Sequence, residues 1–335
     1  MIKVALIGAG KMGLSHLSIL GAHPDVEVVG VADSSKITLD VLKRFSAFKV
    51  YSDYKIMIQE VNPEAVIVSV PTKYHNSIVE ELLLKNIHVF VEKPFCLNYE
   101  DSLKLSDLAL QYNVINQVGY HNRFIGTFTE AKRIIENGFL GKINHYTGEA
   151  YGPVVIKKKN NTWRSKDDEG GGCLMDYASH VIDLIHYLIS PIKQINGSIL
   201  KKIFSENVDD SVYALLENEN NISGVISVNW SDETYRKMST SMTINGSNGK
   251  IIVDACELKV YFNDNNCPVG YSKGWNVKYI TELSKPVDFY LRGEEYSLQI
   301  DYFIKSIIRK NKINKNSFSS ANKTDKVISI IKSLN

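Results

Sequence analysis

The short apolar run Val4–Ile7 ends in Gly8-Ala9-Gly10-Lys11-Met12-Gly13, a G-x-G-x-x-G pattern at the very start of the chain. A buried-type strand, a glycine turn and then a helix, predicted over Met12–Ala22, form a sequence that few folds accommodate. Gly8 permits the tight turn, Gly10 lets the backbone approach a diphosphate with no Cβ in the way, and Gly13 allows the helix to pack close to the strand. Unpaired N–H groups at the helix start, in the turn that holds Lys11 and Met12, then face the phosphates. Asp33 stands 20 residues after Gly13, at the end of a second predicted strand, Val26–Ala32. A carboxylate there accepts hydrogen bonds from adenosine ribose hydroxyls and repels a 2′-phosphate, which favours NAD over NADP. Ser34 and Lys36 soften that repulsion, so NADP stays open as a cofactor.

Alternation of strands and helices continues through the first third. Helix Lys36–Phe45, strand Lys49–Tyr51, strand Ala65–Val70, helix His75–Lys85, strand His88–Glu92, helix Tyr99–Tyr112 and strand Ile115–Gly119 are expected in turn. This pattern predicts a parallel, doubly wound sheet covered on both faces, within residues 1–122. The pattern changes beyond it. A helix over Thr127–Asn137 precedes alternating stretches at Ile143–Tyr151, Gln194–Lys201, Ser211–Leu216, Ser223–Trp230, Ser239–Asn245 and Lys250–Asp254. These predict a second, α+β domain over residues 123–335, built on an open, mainly antiparallel sheet. A helix near Cys173–Leu188 interrupts the strands. Closing helices near Glu294–Arg309 and Asn322–Ser333 are free to pack back on the first domain.

Composition excludes several classes. Lys and Arg number 39 against 37 Asp and Glu, so a strongly basic nucleic-acid binder is not expected. The tail from Lys305 to Lys332 carries eight basic residues and one acid, but a single aromatic residue, Phe318, does not make the aromatic interleaving that stacking on bases needs. No run approaches the roughly 18 apolar residues of a membrane span. Cys96, Cys173, Cys256 and Cys267 have no metal-site spacing and fit a reducing cytoplasm, which is the expected location.

Two further segments carry chemistry. Glu92-Lys93-Pro94 follows a strand of the first domain, where ligands of such sheets bind. Gly170-Gly171-Gly172-Cys173-Leu174-Met175-Asp176-Tyr177-Ala178-Ser179-His180 places a carboxylate and an imidazole four residues apart, on one face of a helix. That pair suits proton transfer from an alcohol. The glycines let the chain pass close to a ligand. His180, Asp183 and His186 lack zinc-site spacing, and no metal is expected.

With these segments in this order, the whole chain resembles the Gfo/Idh/MocA oxidoreductase family. The resemblance rests on the glycine motif, on Pro71-Thr72-Lys73-Tyr74-His75, on Glu92-Lys93-Pro94 and on the Asp176…His180 segment. It implies an N-terminal Rossmann domain and a C-terminal α+β domain. It also implies a catalytic Lys93, Asp176 and His180, with Pro71, Thr72, His75 and Glu92 beside the cofactor. Arg123, Trp163 and Arg164 match substrate-side positions. The implied activity is hydride transfer between a nicotinamide cofactor and a hydroxyl carbon of a sugar, polyol or nucleotide-sugar, with 3-dehydrogenation of a UDP-linked amino sugar as its narrowest form. A catalytically idle dinucleotide sensor and a reductase of a non-sugar substrate are the alternatives. An open sheet needs its free face covered, so a homodimer or homotetramer is expected.

Overall fold

Six parallel strands in the order β3-β2-β1-β4-β5-β6 form the first sheet. They are β1 Ile2–Ile7, β2 Val26–Ala32, β3 Val50–Tyr51, β4 Ala65–Val68, β5 His88–Val91 and β6 Asn116–Val118. Helices α1 Lys11–Ala22, α2 Lys36–Phe45, α3 Tyr54–Val61, α4 His75–Leu84 and α5 Tyr99–Gln111 connect them. The structure is a computed structural model and describes residues 1–45, 48–158, 162–287, 293–311 and 315–335. Lys312 of the basic tail lies outside the described residues.

Both faces of this sheet are dry because successive strand residues point to opposite sides. Ala5 and Ile7 pack in one core with Ile78, Val79, Leu82 and Leu105. Val4 and Leu6 pack in the other with Leu17, Leu20, Phe303 and Ile307. That second core explains where one late helix goes. The chain divides into two compact units, the first comprising Met1–His121 and Pro286–Asn322, the second Asn122–Lys285 and Lys323–Asn335.

The second unit holds α6 Gly126–Glu136, β7 Ile143–Tyr151, α7 Ser179–Leu188, β8 Ile192–Lys201, β9 Ser211–Asn218, β10 Ile222–Asn229, β11 Ser239–Gly246, β12 Gly249–Asp254, β13 Glu257–Phe262, β14 Gly274–Tyr279 and α8 Ile280–Leu283. Helix α9, Glu294–Ile308, belongs to the first unit, and α10, Phe318–Ser333, begins in the first and continues in the second. The eight strands follow the order β14-β13-β12-β11-β7-β10-β9-β8, antiparallel except for β7 beside β10. Gly148 of β7 leaves room for Val181 of α7, which is how that helix lies close on the sheet.

Several elements differ from the sequence expectation. Helix α3 was not anticipated, although Asp53 caps it by accepting from Lys55 N. Strands β13 and β14 extend the sheet past the last predicted strand. The helix expected near Cys173–Leu188 opens as a π-helical turn over Leu174–Ala178 and becomes α-helical only at Ser179. Such wide turns recur at functional sites.

Candidate active site

In the first unit the residues of the glycine turn each meet a local demand. Gly8 has φ +93°, and a Cβ there would overlap the Ser69 backbone. A Cβ on Gly13 would overlap the Gly8 carbonyl, so α1 starts this close to the turn after β1 only because residue 13 is glycine. Gly10 has open space where a Cβ would stand. It is the N-cap of α1 and has no side-chain cap, and the first turn, which includes Lys11 and Met12, holds no acid. This leaves N–H groups and the positive end of the helix for an anion, as a diphosphate requires.

Asp33 closes this turn from β2. Its Oδ2 accepts from Ala9 N at 2.6 Å and its Oδ1 from Ser35 N at 2.7 Å. The carboxylate is thus held beside the glycine turn, next to exposed Ser34. The residues present fit a dinucleotide: an uncapped helix start, an open side at Gly10 and a fixed acid at the end of the second strand.

Pro71 is exposed and leads into a short 3-10 turn, Thr72–Tyr74, with Thr72 buried. His75 is buried, with Nδ1 3.0 Å from the Pro94 and Phe95 carbonyls and Nε2 3.0 Å from that of Val70. It ties this turn to the corner after Lys93. Burial pushes the His75 pKa down, although the carbonyls and the Glu92 charge oppose the shift. The Lys93-Pro94 peptide is cis. Glu92 is turned inward: its Oε1 lies 2.6 Å from His16 Nε2, and Lys93 N donates to its Oε2 at 3.3 Å. Burial raises the Glu92 pKa, but His16, Lys93 and His121 outweigh it and hold the carboxyl below its ordinary range. A Cβ on Gly119 would stand 3.0 Å from Glu92 Oε1, so the carboxylate packs tightly against this glycine.

In the second unit, Asp176 and His180 are 4% and 2% exposed. Arg164 Nε donates to Asp176 Oδ2 at 2.9 Å, and the Arg164 guanidinium stacks 4.4 Å from the Trp163 ring centroid. Arg164 thus bears directly on the buried carboxylate and Trp163 only through Arg164, both residues being half-buried in one 3-10 turn. The glycine run does not serve a ligand at every position. Gly171 packs against the Arg164 and Lys166 carbonyls, and Gly172, at φ +103°, against the Asp209 carboxylate.

Arg123 is buried in a two-pronged ion pair with Asp183 of α7, Nε to Oδ2 at 2.9 Å and Nη2 to Oδ1 at 2.5 Å. Asp183 is thereby taken up in a pair with an arginine. Among the described residues no group of three or more His, Cys, Asp or Glu is arranged to hold a metal ion. No helix among them is long and apolar enough to cross a membrane. Sequence reasoning did not single out His16 or Asp209. Both had a signal: a histidine three residues past the last glycine, and an Asp209-Asp210 doublet heading an apolar strand.

Comparison with known proteins joins the two units. Residues 2–120 match the family described as an oxidoreductase family with an NAD-binding Rossmann fold, and residues 128–252 match the GFO/IDH/MocA C-terminal domain. D-glucoside 3-dehydrogenase of Escherichia coli (strain K12) is 27% identical over 65% of this chain and 67% of its own length. The chain spans about half the length of the first curated relatives it matches. The solved structure of levoglucosan dehydrogenase in complex with NADH has a TM-score of 0.88 at 22% identity, covering 99% of this chain and 96% of that one. The WlbA dehydrogenase of Bordetella pertussis, in complex with NADH and UDP-GlcNAcA, has a TM-score of 0.80 at 21% identity, covering 99% of this chain and 95% of that one. At these identities the structural likeness concerns the fold. A parallel sheet opened by the glycine turn, a mainly antiparallel second sheet and both sequence matches lead to one conclusion: the chain belongs to the GFO/IDH/MocA oxidoreductase family.

Proposed function

We propose that this protein is an NAD-dependent oxidoreductase acting on a CH–OH group of a sugar or polyol. The observation that carries the reading is the buried Asp176 and His180 pair at the head of one helix, in a chain whose other unit fits a dinucleotide. Gly8, Gly10 and Gly13, with Lys11 and Met12 in the same turn, would hold the diphosphate. Asp33 and Ser34 would hold the adenosine ribose, and Pro71, Thr72, His75 and Glu92 would frame the nicotinamide end. When bound, the cofactor supplies the hydride acceptor or donor. His180 takes the hydroxyl proton as general base. Lys93 binds that oxygen and stabilises the developing alkoxide by its charge. Asp176, steadied by Arg164, orients the imidazole and accepts from a neighbouring hydroxyl. Trp163 and Arg123 stand as substrate-side residues, the latter through the helix it braces.

The narrowest form of the proposal is 3-dehydrogenation of a UDP-linked amino sugar, supported by the fold likeness to WlbA. The D-glucoside 3-dehydrogenase relative supports the broader sugar class. NADP is the alternative cofactor. The proposal includes a homodimer or homotetramer formed on the open face of the second sheet, where Ile199, Leu215, Trp275, Val277 and Tyr279 are exposed.

The test is a cofactor-reduction screen over sugars, inositols and UDP-sugars with NAD and NADP in parallel. His180→Ala and Lys93→Met serve as controls, expected to lose about 10²–10⁴-fold in turnover while still binding NAD. A protein that binds NAD yet reduces it with no member of the panel would refute the proposal.

A further inference from the structure

Asp209 lies in the connection from β8 to β9 and has no place in the proposed chemistry. Its surroundings are nonetheless specific. Its Oδ2 accepts from Leu174 N at 2.7 Å, and its main-chain carbonyl accepts from Cys173 N at 2.9 Å. These are the first free donors of the segment that carries Asp176 and His180. A Cβ on Gly172 would stand 2.6 Å from Asp209 Oδ1, so the carboxylate reaches the helix start only because residue 172 has no side chain. Gly172 in turn accepts the Asp176 N–H at 3.0 Å, which makes it the hinge between Asp209 and the proposed site.

Its neighbour fixes Asp209 in place. The Asp210 carboxylate accepts from the N–H groups of Ile203, Phe204 and Ser205 at 2.6 to 2.8 Å, and from Trp230 Nε1 at 2.7 Å. The backbone at residue 209 is thus anchored on one side by this cluster and delivers one carboxylate to one helix start.

We infer that Asp209 is a positioning residue, whose carboxylate holds the first turn of the Leu174–Ala178 segment and so sets where Asp176 and His180 stand. Stability alone does not account for a carboxylate here. Burial, with Asp210 adding to it, pushes the Asp209 carboxyl up to about 6, against the N–H groups of Leu174 and of Asp209 itself and the charge of Lys332. The charged form therefore opposes folding at neutral pH. A carboxylate whose ionised form is disfavoured by its surroundings, yet which caps this one segment, is explained by what the segment carries.

The inference rests on the proposed roles of Asp176 and His180, and the experiment separates the two. Turnover, KM for the substrate found in the screen, and NAD affinity are measured for Asp209→Ala, Asp209→Asn and Asp209→Glu, with Asp176→Asn and His180→Ala alongside. Asp209→Ala removes the acceptor and is expected to lower kcat about tenfold or more, the scale of one charge-assisted hydrogen bond, with NAD affinity unchanged. Asp209→Asn keeps an oxygen for Leu174 N and is expected to restore most of the loss, with thermal stability at or above wild type. Asp209→Glu keeps the charge but cannot place it in the Gly172 gap, so its kcat falls as well; it serves where the alanine variant does not fold. Full turnover in Asp209→Ala or Asp209→Glu, or equal loss in a folded Asp209→Asn, overturns the inference. Full turnover in Asp176→Asn and His180→Ala overturns the site itself.

Discussion

Removing the Arg123 guanidinium tests whether that residue meets substrate or holds the fold. Its side chain is 4% exposed and that of Asp183 is 1% exposed. Two hydrogen bonds join them, and the guanidinium also lies 5.3 Å from the Tyr187 ring centroid. Burial pulls the Asp183 carboxyl upward even with Arg123 beside it. In Arg123→Met that carboxylate is left buried without its partner, a change that costs about 3–5 kcal/mol. At 2–4 °C per kcal/mol for a unit of this size, the midpoint of thermal unfolding falls by roughly 6–20 °C.

Proton linkage adds a sign. Without Arg123, Asp183 holds its proton more tightly when folded than unfolded, so the deficit shrinks as pH falls through that raised value. Replacing both partners, Arg123→Met with Asp183→Leu, removes the stranded charge and should recover most of the loss, because isosteric apolar pairs often match buried ion pairs. The assay is thermal unfolding by circular dichroism across the double-mutant cycle, with substrate KM measured on each folded variant. A midpoint within about 2 °C of wild type in Arg123→Met, together with a KM raised tenfold, would refute the structural role and make Arg123 a substrate contact.

Three other residues carry shorter expectations. Asp33→Ser should weaken NAD and relieve repulsion of NADP, shifting their affinity ratio about tenfold; titration of both cofactors checks it, and an unchanged ratio leaves Asp33 as a turn residue only. Asp209→Asn should exceed wild type in unfolding midpoint at neutral pH. Because the wild-type carboxyl is raised to about 6, that advantage fades as pH falls from neutral toward the ordinary carboxylate range; a gap independent of pH contradicts the assignment. His16→Leu removes the 2.6 Å hydrogen bond to the buried Glu92 carboxylate and should cost about 1–3 kcal/mol, with the loss easing in acid as Glu92 takes up a proton; unaltered stability by thermal unfolding contradicts the pairing.

What was legible along the chain is what local pattern decides. Strand β2 and helix α2 match their expected bounds, because β-branched runs and helical periodicity need no distant partner. Helix α3 was missed because Ile56-Met57-Ile58 is a short unbroken apolar run rich in β-branched residues, which periodicity does not assign to helix or strand, so only the Asp53 cap marked it. In β14 the apolar residues are the exposed ones, Trp275, Val277 and Tyr279, and alternation by itself cannot say which face turns inward.

At the site the same limit applies with more consequence. The glycine turn and the Asp176 to His180 spacing are short-range and were read directly. The contacts that hold them in place are not: Ala9 meets Asp33 across 24 residues, Leu174 meets Asp209 across 35, and Arg123 meets Asp183 across 60. No periodicity links such pairs, since each depends on how two separate elements pack. Gly172 is the sharpest instance. Along the chain, a glycine before a candidate acid suggests room for a ligand. In the structure the room is taken by Asp209, a residue of the same chain. Its absent Cβ therefore measures how closely a distant carboxylate is held to the helix start. A methyl group at that position should disturb Asp176 and His180 without touching either one.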